Sequence, residues 1–300
     1  MRIIIALLII LSFIIVLLSQ SKIGKLAKVN RFSTESLEDV PKLQPFPVKV
    51  QNFKPPSSLS TRSTVVIDAK TGIVLFEKEP NLRHLPASTT KLMTALVALE
   101  KCSPGDIVTV KTINKDGTQM GLELGDKITV ENLLYGMLIN SGNDAAYALA
   151  TSCAGSLREF TIAMNQKAKE LGMTNTKFDN PAGFDSRSQF STAKDLAKLA
   201  KVAVANPLLA KIVSTQTTVV NDTNGTKTYL LENVNKLLGQ VEGLEGIKTG
   251  QTEGSLEILL SKTTRNGNTI IIAILGSEDR FGETKSLIDW TYQNYNWQKP

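Results

Sequence analysis

The 300-residue chain contains one histidine, His84, and two cysteines, Cys102 and Cys153. With a single histidine, any Ser-His-Asp triad would have to run through His84. That residue sits in a polar stretch beside Arg83, only four residues before Ser88, and reads as a solvated loop residue. Two cysteines without Cys-x-x-Cys spacing or a neighbouring histidine exclude a zinc site. Each falls at the end of a predicted helix, which leaves open both a disulfide and two separate buried thiols. The chain also lacks an HExxH pattern, a glycine-rich phosphate loop, a paired-carboxylate signal, an Asp-rich metal cluster, internal repeats and low-complexity tracts. No cofactor is expected. Lys and Arg outnumber Asp and Glu 34 to 28, giving a net charge of +6, but the basic residues are scattered and no aromatic-basic cluster occurs. That pattern argues against nucleic acid as a partner. It suits an anionic polymer or lipid surface, or solubility alone.

One long apolar run exists. Ile3 to Leu18 is interrupted only by Ser12 and follows Arg2. It is slightly short for a membrane-spanning helix, which takes about 20 residues, and slightly long for a cleaved signal core. Ser19-Gln20-Ser21 supplies small residues of the kind a signal peptidase reads, yet an anchor is the favoured reading. Lys22, Lys25, Lys28 and Arg31 follow the run, so charge bias does not favour an external C-terminal domain. From there to about Ser60 no periodicity is sustained, and Pro41, Pro45, Pro47, Pro55 and Pro56 punctuate the stretch. The expected organisation is a signal or anchor over 1–20, a tether over 21–60 and a folded domain over 61–300.

The folded part opens with two β-rich runs, Ser63–Asp68 and Ile73–Glu77, joined by a hairpin signal at Ala69-Lys70-Thr71-Gly72. Pro86 precedes a helix whose body, Lys91–Glu100, is apolar on nearly every side and is therefore expected to be buried in the domain centre. Helical patterns recur at Glu131–Ile139, Asp144–Cys153, Ser156–Leu171 and Thr192–Ala205, the last stopping near Pro207. Ser255–Thr263 and Thr269–Leu275 are again β-rich and flank an Asn266-Gly267 hairpin signal, and a final helix is expected from about Glu283 to Tyr295. Strands at both ends with helices between predict a mixed α and β domain: one sheet built from chain-distant segments, and an inserted helical lobe.

Three short motifs carry the chemistry: Ser88-Thr-Thr-Lys91, Ser141-Gly142-Asn143 and Lys248-Thr249-Gly250. Each alone is a common pattern; together and in this order they are specific. Serine and lysine three apart on a helix share one face, and the first helical turn favours negative charge developing on Ser88. Lys91 can act as a base only when neutral. Near pH 7 only about one unperturbed lysine in a few thousand is, and burial plus a neighbouring cation would raise that share. Ser141 can relay a proton between Lys91 and a leaving amine, and Asn143 can bond a substrate amide. Lys248 and Thr249 can hold a carboxylate, and Gly250 lets a substrate backbone approach. The amides of Ser88 and Gln251 can form an oxyanion hole.

Longer stretches extend the match: Pro86-Ala-Ser-Thr-Thr-Lys-Leu-Met-Thr94, Ser141-Gly-Asn-Asp-Ala-Ala146, Met164-Asn165, Asn180-Pro-Ala-Gly183, Ser191-Thr-Ala193 and Gly246-Ile-Lys-Thr-Gly250. Over about 61–295 the sequence resembles the low-molecular-weight penicillin-binding proteins that act as D-alanyl-D-alanine carboxypeptidases. The resemblance implies a β-lactamase/transpeptidase-like fold, an antiparallel sheet packed by helices with the site between sheet and helical lobe. It further implies removal of the terminal D-alanine of peptidoglycan stem peptides through an acyl-enzyme on Ser88, capture by β-lactams, and a location on the extracytoplasmic face of a bacterial membrane. Arg280 matches a family arginine that helps hold the substrate carboxylate.

Some features depart from the family. The chain ends soon after the catalytic region, Gln251-Thr-Glu-Gly-Ser255 is short and poor in aromatics, and Ala182 stands where many relatives have histidine. The rivals are a DD-endopeptidase with the same motifs, a β-lactamase, and a non-catalytic β-lactam-sensing or wall-binding module. No Glu-x-x-Leu-Asn pattern of the kind that speeds deacylation in class A β-lactamases occurs between Asn143 and Lys248.

Overall fold

In the computed structural model, which describes residues 45–299, two N-terminal strands and three C-terminal strands share one sheet. The N-terminal pair is β2 (Ser63–Asp68) and β3 (Val74–Lys78), which follow the short strand β1 (Phe46–Lys49). The C-terminal three are β8 (Leu244–Thr252), β9 (Leu256–Arg265) and β10 (Asn268–Ser277). Their order is β3-β2-β10-β9-β8, with every neighbour antiparallel. The expectation of a sheet assembled from distant segments therefore holds, and β8 is left at an edge.

The middle of β10, Ile270 to Leu275, reads as an unbroken apolar run because both faces of the sheet are covered. Alternate residues separate cleanly. Val65, Ile67, Ile271, Ala273 and Leu275 join the core under the helical lobe, while Val66, Ile270, Ile272 and Ile274 join a second core beneath the C-terminal helix. Each fully buried isoleucine contributes about 1.5–3 kcal/mol of hydrophobic stabilisation.

Between the two halves of the sheet run α1 (Thr90–Lys101), α2 (Val130–Leu138), α3 (Asn143–Ala154), α4 (Leu157–Glu170), α5 (Ala193–Ala205) and α6 (Pro207–Ser214); α7 (Arg280–Asn294) follows the sheet. Local capping explains the boundaries. Thr129, Ser156, Thr192 and Asp279 each accept a hydrogen bond from the amide three residues on. Pro207 does more than stop a helix: it is the first residue of α6, with Asn206 capping the amides of Leu208 and Leu209.

Three other features differ from the sequence reading, and a fourth decides between alternatives it left open. First, residues 45–60, assigned to a tether, are packed on the domain. β1 pairs with β11 (Tyr295–Gln298), Phe53 meets Trp290 and Tyr295 edge-on, and the amides of Ser60 and Thr61 donate to Glu283. A four-residue edge strand containing Pro47 leaves little periodic signal. Second, two small hairpins were not anticipated, β4 (Ile107–Thr109) with β5 (Lys127–Thr129) and β6 (Thr217–Asn221) with β7 (Thr228–Glu232). Third, His84 is only partly solvated. Its backbone pairs with Ser191, and its half-buried ring leaves Nε2 without a partner. Burial, and then Arg62, push its pKa down. Fourth, the cysteine alternatives resolve: Cys102 and Cys153 form a disulfide joining the C-terminal ends of α1 and α3.

Among the described residues no helix is long and apolar enough to cross a membrane. The anchor expected over 1–20 and most of the tether lie outside the described residues.

Candidate active site

Ser88 lies in a single 3-10 turn, Ala87–Thr89, that leads into α1, rather than in the first α-helical turn itself. The turn is tight. Ala87 has φ +47°, a left-handed conformation costly for alanine, and Thr89 Oγ1 donates to the Pro86 carbonyl at 2.5 Å. The strain is held by packing, because α1 is buried on all sides by Leu92, Met93, Ala95, Val97 and Ala98.

One turn along, Lys91 is fully buried. Its Nζ lies 2.9 Å from Ser88 Oγ, 2.6 Å from Asn143 Oδ1 and 2.9 Å from the Ala182 carbonyl oxygen. The Asn143 amide is oriented by Nδ2, which donates to the Asp116 carbonyl at 2.8 Å. Two of the three neighbours of Nζ can therefore only accept, whereas the Ser88 hydroxyl can donate. A neutral amine, with two N–H groups and one lone pair, satisfies all three when it accepts the proton of Ser88. Burial first, then the charge of Lys248, hold the Lys91 pKa well below the usual lysine range, against a smaller opposite effect of Asp144.

The second motif sits in the turn between α2 and α3. Ser141 has φ +61°, and Asn143 is the first residue of α3. Lys248, also buried, donates to Ser141 Oγ at 3.0 Å and is pushed down to about 7 by burial and the neighbouring Arg280. Thr249 and Gly250 follow on β8. A Cβ on Gly250 would stand 3.0 Å from the Ala87 Cβ and 3.3 Å from the Ser88 amide, so the edge strand lies directly against the nucleophile's turn. Arg280, at the start of α7, donates to the Gly250 carbonyl at 3.0 Å and to Gln251 Oε1 at 3.4 Å. Its backbone amide donates to Glu257.

All nine residues selected from the sequence are thus brought together: Ser88, Lys91, Ser141, Asn143, Lys248, Thr249, Gly250, Gln251 and Arg280. Asn143 differs in detail from its expected use, since both ends of its amide are engaged by Lys91 and Asp116.

Sequence reasoning passed over the groups that hold these side chains. Buried Asp144, read only as a residue near a helix start, accepts from the amides of Met120, Gly121 and Leu122 at 2.8, 2.8 and 3.0 Å. Asn180 Oδ1 accepts from the amides of Ala182, Gly183 and Phe184, which aims the Ala182 carbonyl at Lys91. The signal for both was present, in Ser141-Gly-Asn-Asp144 and Asn180-Pro-Ala-Gly183, but one-residue spacing does not reveal which amides a carboxylate will meet. The position where relatives often have histidine contributes here through its backbone oxygen.

The arrangement provides a hydroxyl beside a buried amine whose pKa is held down, a second amine on a hydroxyl relay, and an open strand edge. That combination suits acyl transfer from a peptide ending in a carboxylate. Residues 49–279 match the family model for D-alanyl-D-alanine carboxypeptidase. The D-alanyl-D-alanine carboxypeptidase DacF of Bacillus subtilis is 35% identical over 245 residues, covering 78% of this chain. DacB2 of Mycobacterium tuberculosis is 34% identical over 239 residues, 76% of this chain and 81% of its own length. The chain spans 62% of the length of DacF. Among solved structures, the Streptomyces K15 DD-transpeptidase superimposes with a TM-score of 0.75 at 29% identity, over 80% of this chain and all of that one.

Proposed function

This chain belongs to the D-alanyl-D-alanine carboxypeptidase family, and on that premise we propose that it removes the terminal D-alanine from peptidoglycan stem peptides through an acyl-enzyme on Ser88. The substrate lies along the edge of β8, its carboxylate met by Lys248 and Thr249 with Arg280 nearby. The scissile carbonyl points at the amides of Ser88 and Gln251. Lys91 takes the Ser88 proton as the oxygen attacks, and the oxyanion is held by the two amides. The proton passes through Ser141 to the departing amine, D-alanine leaves, and an acyl ester remains on Ser88. Water then attacks that ester, giving up its proton to Lys91 and restoring the hydroxyl. β-Lactams enter the same cycle and stay as esters on Ser88.

The observation that carries this reading is the fully buried Lys91 amine 2.9 Å from Ser88 Oγ. Incubation with a diacyl-L-Lys-D-Ala-D-Ala tripeptide tests it. Wild type releases D-alanine and Ser88→Ala does not; release by the variant would refute the mechanism.

We also propose that the domain lies on the outer side of the membrane, held by the segment 1–20. The apolar run from Ile3 to Leu18 supports this, as does the Cys102–Cys153 disulfide, a bond that persists in oxidising compartments. Protease added to intact spheroplasts digests the domain if this is right and spares it if the domain is internal.

A further inference from the structure

On the reading above, two points fix how a substrate lies on β8: a carboxylate at Lys248 and Thr249, and a carbonyl oxygen between the amides of Ser88 and Gln251. The peptide N-terminal to the acyl residue must then continue past Gln251 toward Gly254. At that end of the strand is a cavity of about 430 Å³ lined by Arg83, Leu85, Asp185, Arg187 and Phe190, among others. It adjoins the strand directly. Asp185 Oδ2 accepts from the Gly254 amide at 3.2 Å, and Leu85 Cδ1 is 2.6 Å from where a Cβ on Gly254 would stand. Leu85 precedes Ser88 by three residues, so at most about 11 Å of chain separates the cavity wall from the nucleophile.

The cavity is charged, and part of its wall is held in place. The Arg83 guanidinium stacks on the Phe190 ring, 4.2 Å from its centroid, and donates to Asn175 Oδ1 at 3.3 Å. Arg187 is exposed and makes no ion pair among the described residues. Asp185 spends one oxygen on Gly254 and leaves the other for a ligand. Behind them, buried Gln189 donates to the Phe184 carbonyl at 2.8 Å and accepts from the Asp179 amide at 3.0 Å, which pins the loop carrying Asp185 and Arg187.

We propose that this cavity receives the side-chain end of the stem peptide's third residue, and that it prefers one bearing both a carboxylate and an ammonium, as in diaminopimelate, over one bearing an ammonium alone, as in lysine. The third residue lies one 3.8 Å Cα step before the acyl D-alanine, and its long unbranched side chain extends on from there. Two guanidinium groups and one carboxylate complement a zwitterionic end. A lysine ammonium answers Asp185 but faces Arg83 and Arg187 with a like charge. Arginine matches a carboxylate with paired donors, the geometry that gives selectivity as well as attraction.

This proposal rests on the carboxypeptidase reading, and one set of assays separates their fates. The full chain is given three D-Ala-D-Ala substrates that differ only at the third residue: meso-diaminopimelate, its side-chain carboxamide, and L-lysine. The expected kcat/KM for diaminopimelate exceeds the other two by about tenfold or more, the effect of one charge-assisted hydrogen bond. In Arg187→Gln the ratio of diaminopimelate to lysine falls toward one. Equal kcat/KM for all three substrates overturns the proposal, as does an unchanged ratio in a variant that melts with wild type. If Arg187→Gln does not fold, the carboxamide comparison on wild type decides alone. Absence of D-alanine release from any substrate sinks the carboxypeptidase reading itself.

Discussion

Gly183 is packed so closely on Ala87 that a Cβ added to it would stand 1.8 Å from the Ala87 carbonyl oxygen and 3.0 Å from the Ser88 amide. Its φ of +93° is closed to other residues without strain. Two tight turns, one carrying the nucleophile and one carrying the carbonyl that meets Lys91, are thus held in backbone contact.

Gly183→Ala forces these turns apart. The expected loss is at least about 2 kcal/mol of stability, together with slower acylation of Ser88. Denaturant titration and the rate of labelled-penicillin attachment check this. A variant with wild-type stability and acylation rate would show that the contact can yield.

The two buried lysines are expected to give a bell-shaped pH dependence. Lys91 must be neutral, so kcat/KM rises with pH through its depressed pKa. Lys248 must be charged to meet the substrate carboxylate, so kcat/KM falls as pH passes about 7 in the free enzyme. Removing the Arg280 charge favours protonated Lys248, and Arg280→Gln is expected to move the falling limb to higher pH. A limb that stays in place contradicts the assignment.

Stability carries the same signature. Folded Lys248 gives up its proton near pH 7 and the unfolded lysine near 10.5, so between these values the unfolded chain binds more protons. Unfolding free energy from this group therefore rises with pH across that window. Chemical denaturation at pH 7 and pH 9 is expected to show a gain in wild type that is smaller in Lys248→Met.

Asp144→Asn replaces one of the two oxygens that clamp the amides of residues 120–122 with an amide nitrogen. A loss of about 2–3 kcal/mol is expected, since hydrogen bonds to a charged acceptor are the stronger kind. Asp144 also favours the charged form of Lys91, so its removal lowers the Lys91 pKa further. The rising limb of the pH profile is expected to shift to lower pH, a change that loosened packing alone does not produce.

The Cys102–Cys153 disulfide closes a loop of 51 residues, and removing it costs about 4 kcal/mol on the chain-entropy scale. Denaturation of Cys102→Ala/Cys153→Ala against wild type measures the difference. Equal stabilities would mean that α1 and α3 hold their register without the bond.

The sequence was most legible where chemistry and periodicity coincide. Ser88, Lys91, Ser141 and Asn143 stand at or beside element ends that caps, prolines and apolar runs announce, Lys248 lies within β8, and the buried middle of β10 is a continuous apolar run. Elements that bury few residues were harder to find. β6 exposes Thr217, Val219 and Asn221, and β1 depends on a partner about 250 positions away in Tyr295–Gln298. Asp144 was visible as a letter but not as a clamp, because its three partners lie 22–24 residues back on a loop without regular structure.

The pairing of β1 with β11 has a mechanical consequence. Trp297 and Tyr295 bond to Asp68 and to the Leu75 carbonyl, so the chain enters the domain beside β2 and β3, across the sheet from β8. Four strand spacings, about 19 Å, separate the two edges. A pull applied through residue 45 is therefore taken up by β1, β11 and the aromatic cluster around Trp290. Tension from that direction can strip the entry strand before it disturbs the strand that lies against Ser88.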